Sequence, residues 1–220
     1  MAATVTAAEL AARDAEFETA PPSVVLEWAF EQFGTELVLA CSFQDLVLVD
    51  LARAQQPEVE VVFLDTGAHF AETYAFVDEV VATFGLNLTV THPGPDADPW
   101  PCGTAECCAR RKVEPLRRAL AGRAAWLTAL KRVDAPTRVR APIVSYDEAF
   151  GLVKINPMAT WTDEDIAYYE EAHHLPVHPL RSQGYRSIGC APTTRPTAAG
   201  EDPRAGRWSG TGKVECGLHA

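Results

Sequence analysis

The sequence predicts an α/β fold: a mainly parallel sheet covered by helices, followed by a mobile C-terminal tail. Two observations predict it. Short apolar runs alternate with helix-length amphipathic stretches, the pattern of βαβ units whose strands are buried on both faces. Each run ends in small or polar residues, where open parallel sheets bind ligands. Beyond Ser182 the alternation stops, and Gly, Pro, Ser, Thr and Arg dominate. The chain is therefore read as an α/β domain over 1–181 and a tail over 182–220.

Taken in order, residues 7–33 read as two amphipathic helices broken at Pro21-Pro22, the second capped by Ser23. Residues 36–41 (ELVLAC) form a first strand and 46–55 a helix, with Ser42 placed to open it. Residues 59–65 (VEVVFLD) form a second strand, 71–84 a helix and 87–92 a third strand. A Pro/Gly/Asp-rich loop over 93–103 leads to a helix at 107–120 and a fourth strand at 124–130 (AAWLTAL). Residues 143–145 and 152–155 suggest a short hairpin. Thr162 caps a last helix to about His173, with Asp165 completing an imperfect capping box.

With 220 residues, the chain is long enough to bury a substantial core. Its formal net charge of −11 argues against a nucleic-acid-binding surface, though not against a small basic pocket. No apolar run is long enough to span a bilayer. The first residues lack the basic and apolar regions of a signal peptide, so a reducing cytoplasm is the expected compartment. Six cysteines there point to metal or redox chemistry more than to a disulfide framework.

The cysteine positions sharpen this. Cys107 and Cys108 are adjacent, Cys190 follows Ser187-Ile188-Gly189, and Cys216 sits in Glu215-Cys216-Gly217-Leu218-His219. Adjacent cysteines fit a shared disulfide badly and more often face a metal or pack as small apolar groups. Cys216, in a polar glycine-flanked tail, is placed to move and react. Arg110, Arg111 and Lys112 follow the pair, and Arg195, Arg204 and Arg207 precede Cys216. Guanidinium groups gathered near cysteines in an acidic protein suit a small dianionic or trianionic substrate, and the bland alternative is a solvated basic face. Ser42 and Asp65-Thr66-Gly67 lie at strand ends, where an anion or nucleotide would bind; ordinary capping and turn chemistry is the other reading.

These motifs resemble the assimilatory sulfonucleotide reductases, which reduce adenylyl sulfate (APS) or its 3′-phosphorylated form (PAPS) to sulfite. The match runs from Leu37 to His219 and rests on Phe63-Leu64-Asp65-Thr66-Gly67, Glu106-Cys107-Cys108, Arg111 to Leu116 (RKVEPL), Ser187-Ile188-Gly189-Cys190, Arg204 to Trp208 (RAGRW) and the terminal ECGLH. The cysteine pair resembles the iron–sulfur, APS-reducing branch. The resemblance implies an ATP-pyrophosphatase-like (adenine nucleotide alpha hydrolase-like) fold and a role in sulfate assimilation and cysteine biosynthesis. It implies that Cys216 attacks the sulfur of the sulfonucleotide, releases AMP and becomes S-sulfocysteine, and that thioredoxin or a similar dithiol then frees sulfite. Lys112, Arg138, Arg204 and Arg207 would hold phosphate and sulfate oxygens. Ser42 and Asp65 would serve the nucleotide, and His219 is a bystander or an assistant. Cys107, Cys108 and Cys190 would ligate a [4Fe–4S] cluster.

The chain departs from this pattern at one ligand. The family pairs Cys-Cys with Cys-x-x-Cys, and here the second motif reads Cys190-Ala191-Pro192-Thr193. A neutral hydroxyl is a poor ligand for a soft metal site. Cys102, upstream of the pair, is either a substitute or a plain loop thiol. The 42–45 loop is also shorter and poorer in glycine than the family's. The alternatives are a PAPS reductase and a non-catalytic zinc module of Cys102, Cys107, Cys108 and Cys190. Whether the chain forms a homo-oligomer stays open.

Overall fold

The computed structural model describes residues 5–95, 100–211 and 213–218, so His219 lies outside the described residues. The elements, in order, are helices α1 (Ala7–Phe17) and α2 (Pro22–Phe33), strand β1 (Leu37–Cys41), α3 (Val47–Gln55), β2 (Glu60–Leu64), α4 (Ala71–Phe84) and β3 (Leu88–Thr91). Next come α5 (Ala105–Cys108), a π-helical turn (Ala109–Val113), α6 (Glu114–Ala119), β4 (Ala125–Thr128), β5 (Val144–Asp147), β6 (Leu152–Ile155) and α7 (Asp163–Ala172). The strands form one sheet in the order β3-β2-β1-β4-β6-β5. β4 runs parallel to β1 and to β6, while β5 and β6 pair antiparallel. The predicted α/β architecture is thus the observed one.

The chain divides into two compact units, residues 1–41, 46–62 and 120–175 in the first and 42–45, 63–119 and 176–220 in the second. The first unit owes its core to the doubly covered strands. Leu39, Trp126, Leu127 and Ile155 are all buried, and each such side chain contributes about 1.5–3 kcal/mol by leaving water. α2 presents Val25, Leu26, Ala29 and Phe33 inward, one helical stripe. Thr6 and Glu9 close a capping box on α1, and Asp14 Oδ1 on that helix accepts the Ile143 and Val144 amides at 2.6 and 3.2 Å, covering donors at the sheet edge. At α7 the expected capping box is complete: Thr162 Oγ1 accepts the Asp165 amide and Asp165 Oδ2 accepts the Thr162 amide.

Two local expectations are corrected. Ser23 is not a cap, because Pro21 takes the N-cap place and Pro22 the first turn, where a missing N–H costs nothing. Ser42 does not open α3; Leu46 precedes that helix, without a side-chain cap. The tail carries little periodic structure, as expected, yet Ile188, Cys190 and Trp208 are buried, and Thr194 and Arg207 form an antiparallel bridge. Its order comes from hydrogen bonds to other loops, which leave no periodic trace in the sequence. Among the described residues, no helix is long and apolar enough to cross a membrane.

Candidate functional site

Nine of the ten residues singled out from the sequence fall in the second unit: Ser42, Asp65, Cys107, Cys108, Lys112, Cys190, Arg204, Arg207 and Cys216. Arg138 belongs to the first unit, where it is buried and donates to Asp134 Oδ2 at 3.2 Å.

The turn after β2 is built by its own side chain. Asp65 Oδ1 accepts from the Gly67 amide at 2.8 Å and from the Tyr74 hydroxyl at 2.7 Å, and Gly67 turns the chain at φ +66°. Burial pushes the Asp65 carboxyl up, but the Tyr74 hydroxyl, the Gly67 amide and the charges of His69 and His92 outweigh it and hold it low. Tyr74 is pushed up to about 12 by burial and by this carboxylate. Ser42 is exposed. Its neighbour Gln44 accepts the Ile188 amide at 2.8 Å and so ties this loop to the segment that carries Cys190.

The cysteine pair closes the short helix α5, which is capped at its start by Thr104, whose hydroxyl accepts the Cys107 amide at 3.1 Å. Both cysteines are buried. The π-helical turn that follows, of a kind frequent at functional sites, buries Lys112 and lets Arg111 donate to Thr66 O at 2.8 Å. Cys190 is held against the turn after β2. Its sulfur lies 3.5 Å from Thr66 Oγ1, and the Ala191 amide donates to Ala68 O at 2.7 Å. Its neighbour Cys102 holds the Cys190 thiol low, against burial, helped by the charge of Lys112 and the Thr66 hydroxyl. Cys102 is pushed upward by Cys190, by its burial and by the Cys107 charge.

The tail closes over these cysteines. The Arg195 amide donates to Gly206 O at 3.0 Å and the Trp208 amide to Thr193 O at 2.9 Å. Gly206 is required, since a Cβ there would lie 2.2 Å from Arg195 O. Trp208 is buried, with the Arg207 guanidinium 4.7 Å and Lys213 Nζ 5.4 Å from its ring centroid. Arg207 donates to Ile188 O at 3.0 Å and Ser187 Oγ at 3.3 Å, while its Nε is buried without a partner among the described residues. Burial, then Arg204, lower the Arg207 pKa, and the sulfurs of Cys216, Cys190 and Cys108 act in the opposite sense. Arg204 is engaged with the tail, at 3.1 Å from Val214 O and 3.3 Å from Glu215 Oε2. Cys216 is half-buried.

Lys213 was not singled out from the sequence, and it is the tail's firmest anchor. Its Nζ donates to Gly103 O at 3.0 Å, Thr104 O at 3.1 Å and Cys108 Sγ at 2.9 Å. Gln44 was given no role, and Trp208 entered only as the end of the RAGRW motif. A lone aromatic or amide in an aperiodic segment carries no local signal; for Lys213 the one cue is its nearness to Cys216. These segments line an open cavity of about 760 Å³ that includes Cys102, Thr193, Trp208, Lys213 and Glu215.

The arrangement suits an anion brought beside cysteine sulfurs. It also offers soft donors. Among the described residues no three His, Cys, Asp or Glu side chains converge as donors to one ion, the geometry the zinc alternative needs. An iron–sulfur cube asks for something different, because each thiolate meets its own iron and the sulfurs stand farther apart. Buried thiols beside Lys112 fit that donor set.

The phosphoadenosine phosphosulfate reductase domain family matches residues 36–196. An adenosine 5′-phosphosulfate reductase of Mycobacteroides abscessus is 49% identical over 215 residues, covering 94% of this chain and 91% of that protein. Its namesake in Mycolicibacterium smegmatis is 48% identical, covering 96% and 94%. A crystal structure of phosphoadenylyl-sulfate (PAPS) reductase from Candida auris, in complex with phosphate, superposes with TM-score 0.76 at 26% identity, over 89% of this chain and all of that one. FMN adenylyltransferase of Candida glabrata shares the fold alone, with TM-score 0.63 at 16% identity over 88% of this chain and 69% of that one. The similarity spans the sheet, the cysteine pair and the Cys190 segment, and the chain belongs to the phosphoadenosine phosphosulfate reductase domain family.

Proposed function

We propose that the chain reduces APS to sulfite and AMP, with Cys216 as the nucleophile. The observation that supports this most is Arg207, a cation seated on the Cys190 segment through Ile188 O and Ser187 Oγ, whose buried Nε has no partner among the described residues. A phosphosulfate oxygen accepting from that Nε would be held on the tail that carries Cys216. The Cys216 thiolate attacks the sulfonate sulfur, the sulfur–oxygen bond to the phosphate breaks, and AMP leaves with the electron pair. A thiolate of thioredoxin or a similar dithiol then attacks Cys216 S-sulfocysteine at Sγ. Sulfite departs with its electron pair, and the second thiol of the dithiol resolves the mixed disulfide. Two electrons thus pass from the dithiol to sulfur.

Within this reading Lys112 and Arg207 bind the anion, Arg204 sets the tail through Glu215, and Asp65 and Ser42 flank the nucleotide. Arg138, in the first unit, would contribute a further phosphate contact in this reading. The domain of residues 1–181 supplies the nucleotide site, and the segment 182–220 supplies Cys190 and Cys216. Cys107, Cys108 and Cys190 would hold a [4Fe–4S] cluster. When bound, it would supply iron–thiolate bonds that tie the end of α5 to the 187–193 segment. Relatives nearly half identical are named for the unphosphorylated nucleotide, which favours APS over PAPS. The setting is sulfate assimilation in a cytoplasmic enzyme.

The test is incubation with APS and no reductant, followed by peptide mass analysis. One sulfonate on the Cys216 peptide, removed by thioredoxin and absent in Cys216→Ser, is expected. Normal sulfite release by Cys216→Ser overturns the mechanism, and turnover of PAPS in preference to APS overturns the substrate.

A further inference from the structure

We propose that Cys102 is the fourth thiolate of the iron–sulfur cluster, in place of the cysteine that Thr193 lacks; this rests on the cluster reading above. The thiol is adjacent to the position it replaces: Cys102 Sγ lies 4.0 Å from Thr193 Oγ1. Thr193 stands three residues after Cys190 and Thr104 caps the Cys107 amide, so the thiol lies between the two ligand segments.

The loop that carries it is fixed. Thr104 Oγ1 donates to Pro101 O at 3.1 Å and accepts the Cys107 amide at 3.1 Å, which locks residues 101–104 onto the helix bearing Cys107 and Cys108. Gly103 has φ +97°, and a Cβ there would lie 2.8 Å from Thr193 Cγ2. The glycine therefore permits both the turn and the close approach that seats Cys102 against Thr193. Lys213 clamps the same loop through Gly103 O and Thr104 O while touching Cys108 Sγ. The Thr193 hydroxyl is turned back to its own chain, donating to Cys190 O at 3.4 Å, and offers no anionic donor. Each thiol would lose its proton on ligating iron. In this account the loss at position 193 and the thiol at position 102 are one exchange of ligand between neighbouring loops.

The experiment is anaerobic reconstitution of the full chain with ferrous iron and sulfide, reading iron and sulfide per chain, visible absorption and electron paramagnetic resonance. Wild type, Cys102→Ser, Thr193→Cys, the double variant Cys102→Ser/Thr193→Cys and Cys107→Ser are compared, with far-UV circular dichroism to confirm folding. Cys102→Ser should lose iron and, on mild oxidation, give the signal of a three-iron cluster. The double variant should regain wild-type iron and spectrum, which a folding defect at Cys102 would not allow. Thr193→Cys alone should leave iron content unchanged. Wild-type iron and spectrum in Cys102→Ser, with loss in Cys107→Ser, overturn the assignment of Cys102 and leave the cluster standing. Wild type that takes up no iron and sulfide overturns the cluster and this ligand together.

Discussion

Gly189 makes room for Arg207: a Cβ at position 189 would lie 2.0 Å from Nη2 and 2.3 Å from Cζ of that guanidinium. Gly189 precedes Cys190, so the close approach sets the guanidinium against the cysteine segment. Gly189→Ala should displace Arg207 and cost a charge-assisted hydrogen bond to the anion, roughly 1.5–3 kcal/mol, or about one to two powers of ten in kcat/KM for APS. Arg207→Ala should cost as much. The double variant should be no worse than either, and additive losses in that cycle would show that Gly189 acts elsewhere.

Lys213 gives a second prediction. Its three contacts hold the last residues of the chain on the α5 cap and on Cys108. Lys213→Met should free this segment. Limited proteolysis should then cut within the tail sooner than in wild type, and sulfonate should accumulate on Cys216 more slowly. Lys213→Arg should recover part of both. Unchanged cleavage would remove Lys213 as the anchor.

The sheet and the site differ in how much of each could be read beforehand. β4, with Trp126 and Leu127 in an unbroken apolar run, announces itself because burial on both faces demands such residues. α7 was legible from Thr162 and Asp165, since a cap is a local hydrogen bond. The cysteines and Arg207 were legible as chemical types in fixed motifs. What could not be read were pairings across long sequence distances, such as Gln44 with Ile188 or Lys213 with Gly103. Those depend on where loops meet. The expected helix opening at Ser42 failed for a related reason: Phe43 takes φ +58° and is buried edge-on against Phe63 at 5.5 Å, so the chain bends before α3 begins.

His178 predicts acid sensitivity of the fold. Its Nδ1 accepts the Leu180 amide at 3.2 Å, which leaves Nε2–H to meet Thr73 Oγ1 at 3.1 Å, an arrangement only the neutral ring can make. Burial lowers its pKa from 6.5 to about 4, with Glu72 opposing and Arg181 assisting. Because the folded value is depressed, the unfolded chain takes the proton first. The contribution of His178 to stability is therefore complete above pH 6.5 and declines between pH 6.5 and about 4. Urea midpoints across that interval should fall in wild type and fall less in His178→Gln.

Thr162→Ala removes the cap of α7, which belongs to the first unit. It should lower stability by about 1 kcal/mol, while sulfonate transfer to Cys216 at a temperature well below melting stays at the wild-type rate. A large loss of activity with little loss of stability would place α7 in the chemistry.

The Cys190 segment is the last of the presumed ligand segments to be synthesised, although it seals against the turn after β2 through Thr66 and Ala68. During translation, Cys102, Cys107 and Cys108 emerge while Cys190 is still to be made, and closing so long a loop carries an entropic cost that local helices do not face. For that interval the nascent chain displays reactive thiols without the partner that buries them. Maturation in the cell is therefore most exposed to oxidants and stray metal ions before the final stretch of the chain leaves the ribosome, and oxygen stress at that stage should lower the yield of active protein more than the same stress applied to finished molecules.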